Sequence, residues 1–534
     1  MKRKFRVYHL QLRKWFKKNR WEAIFLFAIL LIAAFLRLYR IDEYMTFLGD
    51  EGRDAIVVRR LLVNFDPILI GPGTSIGNMY LGPLYYYLIA PSLFLANFSP
   101  VGPSIFVAFL GIFTCFLVWW VSRDWFGKGA AFVAVTLYSI SPVVIAYSRS
   151  SWNPNIMPFF ALLCIYSVWK IWLIPTKSTN SLRKENLFWQ IVLAVSYAFV
   201  LQSHYLGLLL APVLVLFWFL GFKRVFKLTR GDELIKKNFI KSSVLGFGIF
   251  LFLMSPLLIF DARHGWNNFS AIKTFFTVRQ TTVSARPWSA IPKLIPLTQK
   301  ISTRLITATN EKYGKWLNTI LWAGFIWVIL RLREFGLKGK KNRAFLILLA
   351  WMGFALLGLG VYKQEIYDHY YGFFSPGLFI FLGGVFQVFL EERKFSFFHV
   401  LIGFFVFFLV YLDIQNNPLK YPPNRQMQRA REVANLIAEK AGNSRFNLAV
   451  IAERNYEDGY QYFLEKNGKK VLDINPLNLE KTLADILFVV CELPKEKCDP
   501  THSPKAEIAN FGWSKIDGEW DISGVTVYKL VHVE

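Results

Sequence analysis

The sequence predicts a multi-pass α-helical membrane protein that ends in a small α/β domain, and three observations carry this. Of its 534 residues, 54% are hydrophobic, 17% aromatic and only 18% charged; a soluble chain has about 25% charged, so globular and disordered readings are both disfavoured. Apolar stretches long enough to cross a bilayer recur as far as Asp413 and stop there. The formal net charge of +26 is unevenly placed: residues 414–534 hold 16 Lys and Arg against 17 Asp and Glu, which leaves +27 in the first 413 residues. The basic excess therefore lies in the hydrophobic part, where it reports orientation and contact with membrane lipids, and no nucleic-acid partner is expected.

About eleven spans are expected, near residues 21–39, 101–122, 130–147, 156–174, 188–203, 206–222, 242–260, 316–332, 344–361, 371–390 and 396–413. The first is long, lacks a small-residue cleavage site and is followed by further spans, so it is not read as a cleaved signal peptide. Nine Lys and Arg residues from Lys2 to Arg20 precede it and place the N-terminus in the cytoplasm. Alternation then makes every inner loop basic: Arg123 and Lys128; Lys177, Arg183 and Lys184; Lys223 to Lys241; Arg331 to Arg343; Arg393 and Lys394. Loops 40–100, 147–155, 261–315 and 362–370 are expected outside the plasma membrane, together with domain 414–534.

Residues 80–98 are apolar enough to be another span, but counting them would invert every later loop and put the basic 223–241 and 331–343 stretches outside. They are read instead as a helix in the outer interface, with Tyr85, Tyr86 and Tyr87 at headgroup level. After Asp413, Gln428–Lys440 has helical periodicity, Phe446–Ala452 and Ile486–Val490 read as buried strands, and Gly524–Val531 alternates as a final strand. Cys491 and Cys498 either pair or remain free thiols, while Cys115 and Cys164 fall in spans as core residues. No internal repeat is evident.

The stretch Phe47-Leu-Gly-Asp-Glu-Gly-Arg-Asp-Ala55 carries the most chemistry. One reading is a solvated amphipathic helix capped by Asp50. The other makes Asp50, with Glu51 beside it, a general base at the membrane surface, and Arg53, one turn on, a contact for an anionic phosphate.

Here the sequence resembles the GT-C membrane glycosyltransferases, particularly glycosyltransferase family 39, the branch of protein O-mannosyltransferases and aminoarabinose transferases. That family has an Asp-Glu pair early in the first outer loop, matched by Asp50-Glu51, and its aminoarabinose branch has an arginine at the spacing of Arg53. Gly82-Pro-Leu-Tyr-Tyr-Tyr87 is similar to the family's interfacial helix, and Arg123-Asp-Trp-Phe-Gly127 and Ser141-Pro142 follow in matching order. The likeness covers roughly residues 20–215. It implies a GT-C fold, Asp50 as the catalytic base, Arg53 on the donor phosphate and Tyr85 among the sugar or acceptor contacts. Two departures stand out. Leu81 and Gly82 replace the family's frequent Lys or His before the interfacial helix, and the second outer loop has none of the acidic metal ligands of oligosaccharyltransferases. No metal and no cofactor are expected.

That second loop reads Tyr147-Ser-Arg-Ser-Ser-Trp-Asn-Pro-Asn155. Arg149 is suited to the donor phosphate and Trp152, Asn153 and Asn155 to a sugar or acceptor; the alternative is helix capping and turn formation. His204 and Tyr205 interrupt a long apolar run, His204 as a phosphate contact or as a partner of free backbone groups. Arg263 and His264, and Tyr367 and His369, open two further outer loops and either line the site or anchor it at the interface. The predicted function is transfer of a sugar from a polyprenyl-phosphate donor to an acceptor of unassigned identity on the outer face, with inversion. The alternative is a transporter or flippase of a lipid-linked saccharide, which the absence of a repeat and the gathering of the candidate site residues at the outer ends of the spans disfavour.

Overall fold

The computed structural model describes residues 15, 17–74, 79–174, 180–228, 233–277, 282–284, 286–392 and 396–533. The expected basic residues at positions 2–14, Lys177, Arg230, Arg393 and Lys394 lie outside these. Among the described residues, nine helices are long and apolar enough to cross a membrane, beginning with Arg20–Leu38 and Val101–Trp125 and ending with Phe397–Gln415. The two other expected spans are helical as well. Residues 130–147 form Lys128–Ile140 and, after a break at Ser141, Pro142–Tyr147; residues 371–390 fall largely in Ser375–Glu392. Pro142 forces the break, because it removes a backbone donor and fixes the residue before it outside the helical region.

The helices pack around a core that includes Trp125, Trp169 and Trp351, while Phe27, Phe35, Phe247, Phe252, Phe404 and Phe407 are exposed, as lipid-facing side chains would be. The ends of Arg20–Leu38 organise the bundle. At its start Glu22 pairs with Arg123 and Lys128, and Arg123's neighbour Asp124 accepts from Lys340 at 2.6 Å. At its end the Leu36 and Tyr39 carbonyls meet Arg149 of the second expected outer loop. About 25 Å of helix therefore separates the basic turns from the acid loop. Residues 80–98 contain the helix Leu84–Leu95, whose 12 residues are too short to span a bilayer.

The C-terminal domain is a four-stranded sheet in the order β1-β2-β4-β3. Strands β1 (Asn447–Ile451), β2 (Ile486–Cys491) and β4 (Val525–His532) fall on the three expected segments, and helix Gln426–Ala441 covers the expected helical stretch. β1 and β2 are parallel, and β4 is antiparallel to both of its neighbours. Strand β3 (Ser514–Ile522) escapes the sequence reading because it is an edge strand with mostly exposed side chains and thus carries little apolar signal. Cys491 and Cys498 are disulfide-bonded. The helix Asp458–Lys466, also unanticipated, lies against the acid helix Gly49–Asn64, with Arg60 donating to Glu465 at 2.5 Å and the Tyr462 hydroxyl donating to the Phe98 carbonyl at 2.6 Å.

Candidate active site

The acid helix begins two residues earlier than a cap at Asp50 would require. Leu48 is the N-cap, Gly49 the first helical residue, and Asp50 and Glu51 sit in the first turn, where the helix dipole favours negative charge. Glu51 supplies the capping acceptor: its Oε2 takes the Leu48 N–H at 3.0 Å. Burial pushes the Glu51 carboxyl up to about 7 against that hydrogen bond. Arg53 is held between two carboxylates. Its Nη1 donates to Asp50 Oδ1 at 2.7 Å, and its Nη2 and Nε donate to Asp54 Oδ1 at 2.7 and 3.1 Å. Asp54 is 1% exposed and also accepts from the Tyr86 hydroxyl at 3.3 Å. Its burial outweighs Arg53 and raises its carboxyl to about 6.

In front of this turn lies a cavity of about 780 Å³, lined from the acid helix by Asp50 and Glu51 and from the segment 147–155 by Tyr147, Trp152 and Asn155. Tyr367, Asp368 and His369 close another side; Arg304 joins them, its Nε donating to the Asp368 carboxylate at 2.9 and 3.0 Å. Trp152 and His369 pack with ring centroids 4.5 Å apart, and burial lowers the His369 imidazole to about 4. The remaining side comes from the C-terminal domain, as Arg454 and Tyr456, and the Tyr456 hydroxyl donates to Asp50 Oδ1. Three carboxylates, Asp50, Glu51 and Asp368, and two arginines thus face one aromatic-walled space. That arrangement can accept a proton, stack against a saccharide and neutralise a phosphate.

The chain superposes on ArnT from Cupriavidus metallidurans bound to undecaprenyl phosphate with TM-score 0.59 and 12% identity, covering 96% of this chain and 98% of that one. The GT-C fold of membrane glycosyltransferases is established. The Archaeoglobus fulgidus oligosaccharyltransferase tethered to an acceptor peptide follows at TM-score 0.54 and 13% identity, covering 89% of this chain and 69% of that one. The same organism's AglB, in complex with an inhibitory peptide and a dolichol-phosphate, gives 0.53 and 14%, covering 89% and 70%. The family model for dolichyl-phosphate-mannose-protein mannosyltransferase matches residues 67–264. No curated protein matches the chain.

In this chain of GT-C fold, six of the residues singled out by sequence line the cavity: Asp50, Glu51, Trp152, Asn155, Tyr367 and His369. Arg53 stands behind Asp50 as its brace. The others hold the scaffold, which corrects the expectation of direct contact. Arg149 is 2% exposed, gives its Nη1 and Nη2 to the Leu36 and Tyr39 carbonyls at 2.7 Å each, and stacks over Tyr44. His204 accepts the Leu206 N–H on Nδ1 at 3.2 Å, and Asn153 donates to the Ser203 carbonyl at 2.5 Å. The Tyr85 hydroxyl pairs with Ser151 at 2.8 Å, tying the helix Leu84–Leu95 to the segment 147–155. Tyr205 packs on His204, while Arg263 and His264 are exposed at the end of Glu233–Arg263, with the His264 ring stacked on Phe260. Arg149 Nη1 and Nη2, His204 Nδ1, Asn153 Nδ2 and the Tyr85 hydroxyl thus have protein partners, as the cost of burying unpaired polar groups favours, while Arg149 Nε is left without one.

Sequence reasoning missed Arg304, Arg454 and Tyr456. Arg304 gives no local signal, since its partner Asp368 lies 64 residues away. Arg454 and Tyr456 follow the C-terminal end of β1, where α/β sheets gather functional loops, but the domain's near-neutral composition hides them.

Proposed function

We propose that the chain transfers one sugar from a polyprenyl-phosphate donor to an acceptor hydroxyl or amine at the outer face of the cell membrane, inverting the anomeric carbon, with Asp50 as general base. The observation that carries this reading is the place of Asp50: it lines the aromatic-walled cavity at the end of the bundle opposite the basic turns. Two solved proteins of this fold carry undecaprenyl phosphate and dolichol-phosphate, which supports a lipid-linked donor. Such a donor cannot leave the bilayer, and that accounts for catalysis on a membrane scaffold. Because Arg53 is held between Asp50 and Asp54 behind the cavity wall, the leaving phosphate falls to the arginines that line the cavity among the described residues, Arg454 and the Asp368-paired Arg304. Tyr147, Trp152, Tyr367 and His369 offer flat faces to the sugar.

The test is Asp50→Asn in proteoliposomes supplied with a panel of undecaprenyl-phosphate hexoses and pentoses and a cell-envelope extract as acceptor. Loss of transfer by about 10²-fold or more, with fold and yield unchanged, is expected of a lost general base. Undiminished transfer removes Asp50 from the role. The scheme uses no metal, so full activity should survive exhaustive chelation, and strict dependence on an added divalent ion would refute that part.

A further inference from the structure

The C-terminal domain touches the acid pair through one loop, residues 453–457, between β1 and the helix Asp458–Lys466. Asn455 is the anchor. Its Oδ1 accepts the Gly49 N–H and the Tyr456 N–H, each at 2.9 Å, and its Nδ2 donates to Glu492 Oε1 at 2.5 Å. Glu492 also accepts the Tyr460 hydroxyl at 2.6 Å, so the anchor is fixed to the body of the domain. A helix start leaves backbone donors without partners, and here a side chain from a distant domain takes one of them.

The acid stretch is shaped to receive this loop. A Cβ on Gly49 would fall inside the Tyr456 ring, and one on Gly52 would collide with the backbone of Asp458 and Gly459. The two glycines flanking Asp50-Glu51 are therefore a condition of the contact.

The contact ends on Asp50. Its Oδ1 takes two donors, Arg53 Nη1 at 2.7 Å and the Tyr456 hydroxyl, while its Oδ2 has no protein partner among the described residues. We propose that Tyr456, supplied by the C-terminal domain, is a positioning residue that fixes Asp50 through Oδ1 and leaves Oδ2 to receive the acceptor's proton. This rests on Asp50 being the base. In that step the acceptor O–H or N–H bond breaks toward Oδ2 as the acceptor atom bonds to the anomeric carbon, and the glycosyl–phosphate bond breaks with its electron pair on the departing polyprenyl phosphate. The C-terminal domain is accordingly part of the catalytic apparatus.

The experiment compares full-length wild type, Tyr456→Phe, Asn455→Ala and Asp50→Asn by transfer from the undecaprenyl-phosphate sugar panel and by amide hydrogen exchange of residues 47–55. Tyr456→Phe removes one oxygen and should lower kcat by about 10²-fold, the effect of slight misplacement of a reacting group, with donor KM within twofold and the melting temperature unchanged. Asn455→Ala should speed exchange at residues 49–51, a measurement that needs no substrate. Wild-type kcat for Tyr456→Phe beside an inactive Asp50→Asn would overturn the positioning role and leave the base in place. An active Asp50→Asn would overturn the base and the proposal with it. Unaltered exchange in Asn455→Ala would overturn the docking that holds Tyr456.

Discussion

Arg53 and Asp54 are neighbours in sequence, yet the guanidinium turns back on its own helix and gives two of its nitrogens to one oxygen of Asp54 while a third reaches Asp50. The arginine that the sequence assigns to a phosphate is thereby the counter-ion that lets a buried carboxylate exist next to the candidate base.

Replacing Arg53 by Ala should destabilise the protein by about 3–5 kcal/mol, the range for stripping one partner from a buried pair. The companion change Asp54→Asn should restore most of that loss, because the uncompensated charge goes with it. Thermal unfolding of Arg53→Ala and of the double variant in detergent measures both, and equal melting temperatures would show that Asp54 needs no counter-ion.

The pH dependence has a definite sign. Burial raises Asp54 from 3.8 to about 6 and Glu51 from 4.5 to about 7 in the folded protein. The folded state therefore holds these protons more tightly than the unfolded one. Their contribution to stability is complete below about pH 4 and declines as pH rises to about 7. Asp54→Asn and Glu51→Gln should each flatten the fall in melting temperature between about pH 4 and about pH 7, and an unchanged slope would contradict the burial of these groups.

Arg149 should behave as a structural residue. Hydrogen bonds from a charged group contribute about 1.5–3 kcal/mol, so Arg149→Ala should lower stability by that order through the lost Leu36 and Tyr39 contacts. Donor KM in the folded fraction should stay at the wild-type value. A rise in KM without a change in melting temperature would return Arg149 to phosphate binding.

Arg304 should show the opposite pattern. Its side chain is 38% exposed, and an ion pair at that exposure is worth about 0–1 kcal/mol, so Arg304→Ala should leave the melting temperature almost unchanged. Loss of a phosphate contact from the cavity should raise donor KM about tenfold, the equivalent of about 1.4 kcal/mol. Steady-state kinetics across a donor titration separates the two effects.

Much of the fold is legible in the sequence because hydrophobic length and periodicity are local properties. The apolar runs mark helices, the alternation of Gly524–Val531 marks β4, and the charge balance marks the change of character after Asp413. The likeness of residues 47–55 and 82–87 to the GT-C pattern is local too. What fails is the assignment of polar residues to chemistry or scaffold. Arg149, His204 and Asn153 look functional because polar groups in an apolar setting are costly, and in the structure backbone groups pair with two nitrogens of Arg149, with His204 Nδ1 and with the Asn153 amide.

The sequence by itself determined that this chain is a membrane protein with its basic excess in the hydrophobic part, and it placed an acid pair in the first long loop. Only the tertiary structure decided which oxygen of Asp50 is occupied and by what. Arg53 is three residues away and could be anticipated from helical spacing, whereas Tyr456 arrives from 406 residues downstream. Helix spacing is fixed by backbone geometry, but a contact between a bundle and an appended sheet depends on how two folded surfaces meet. Gly49 and Gly52 record that meeting in the sequence, as missing side chains whose reason appears only when Tyr456 and the start of the helix Asp458–Lys466 are seen lying on them.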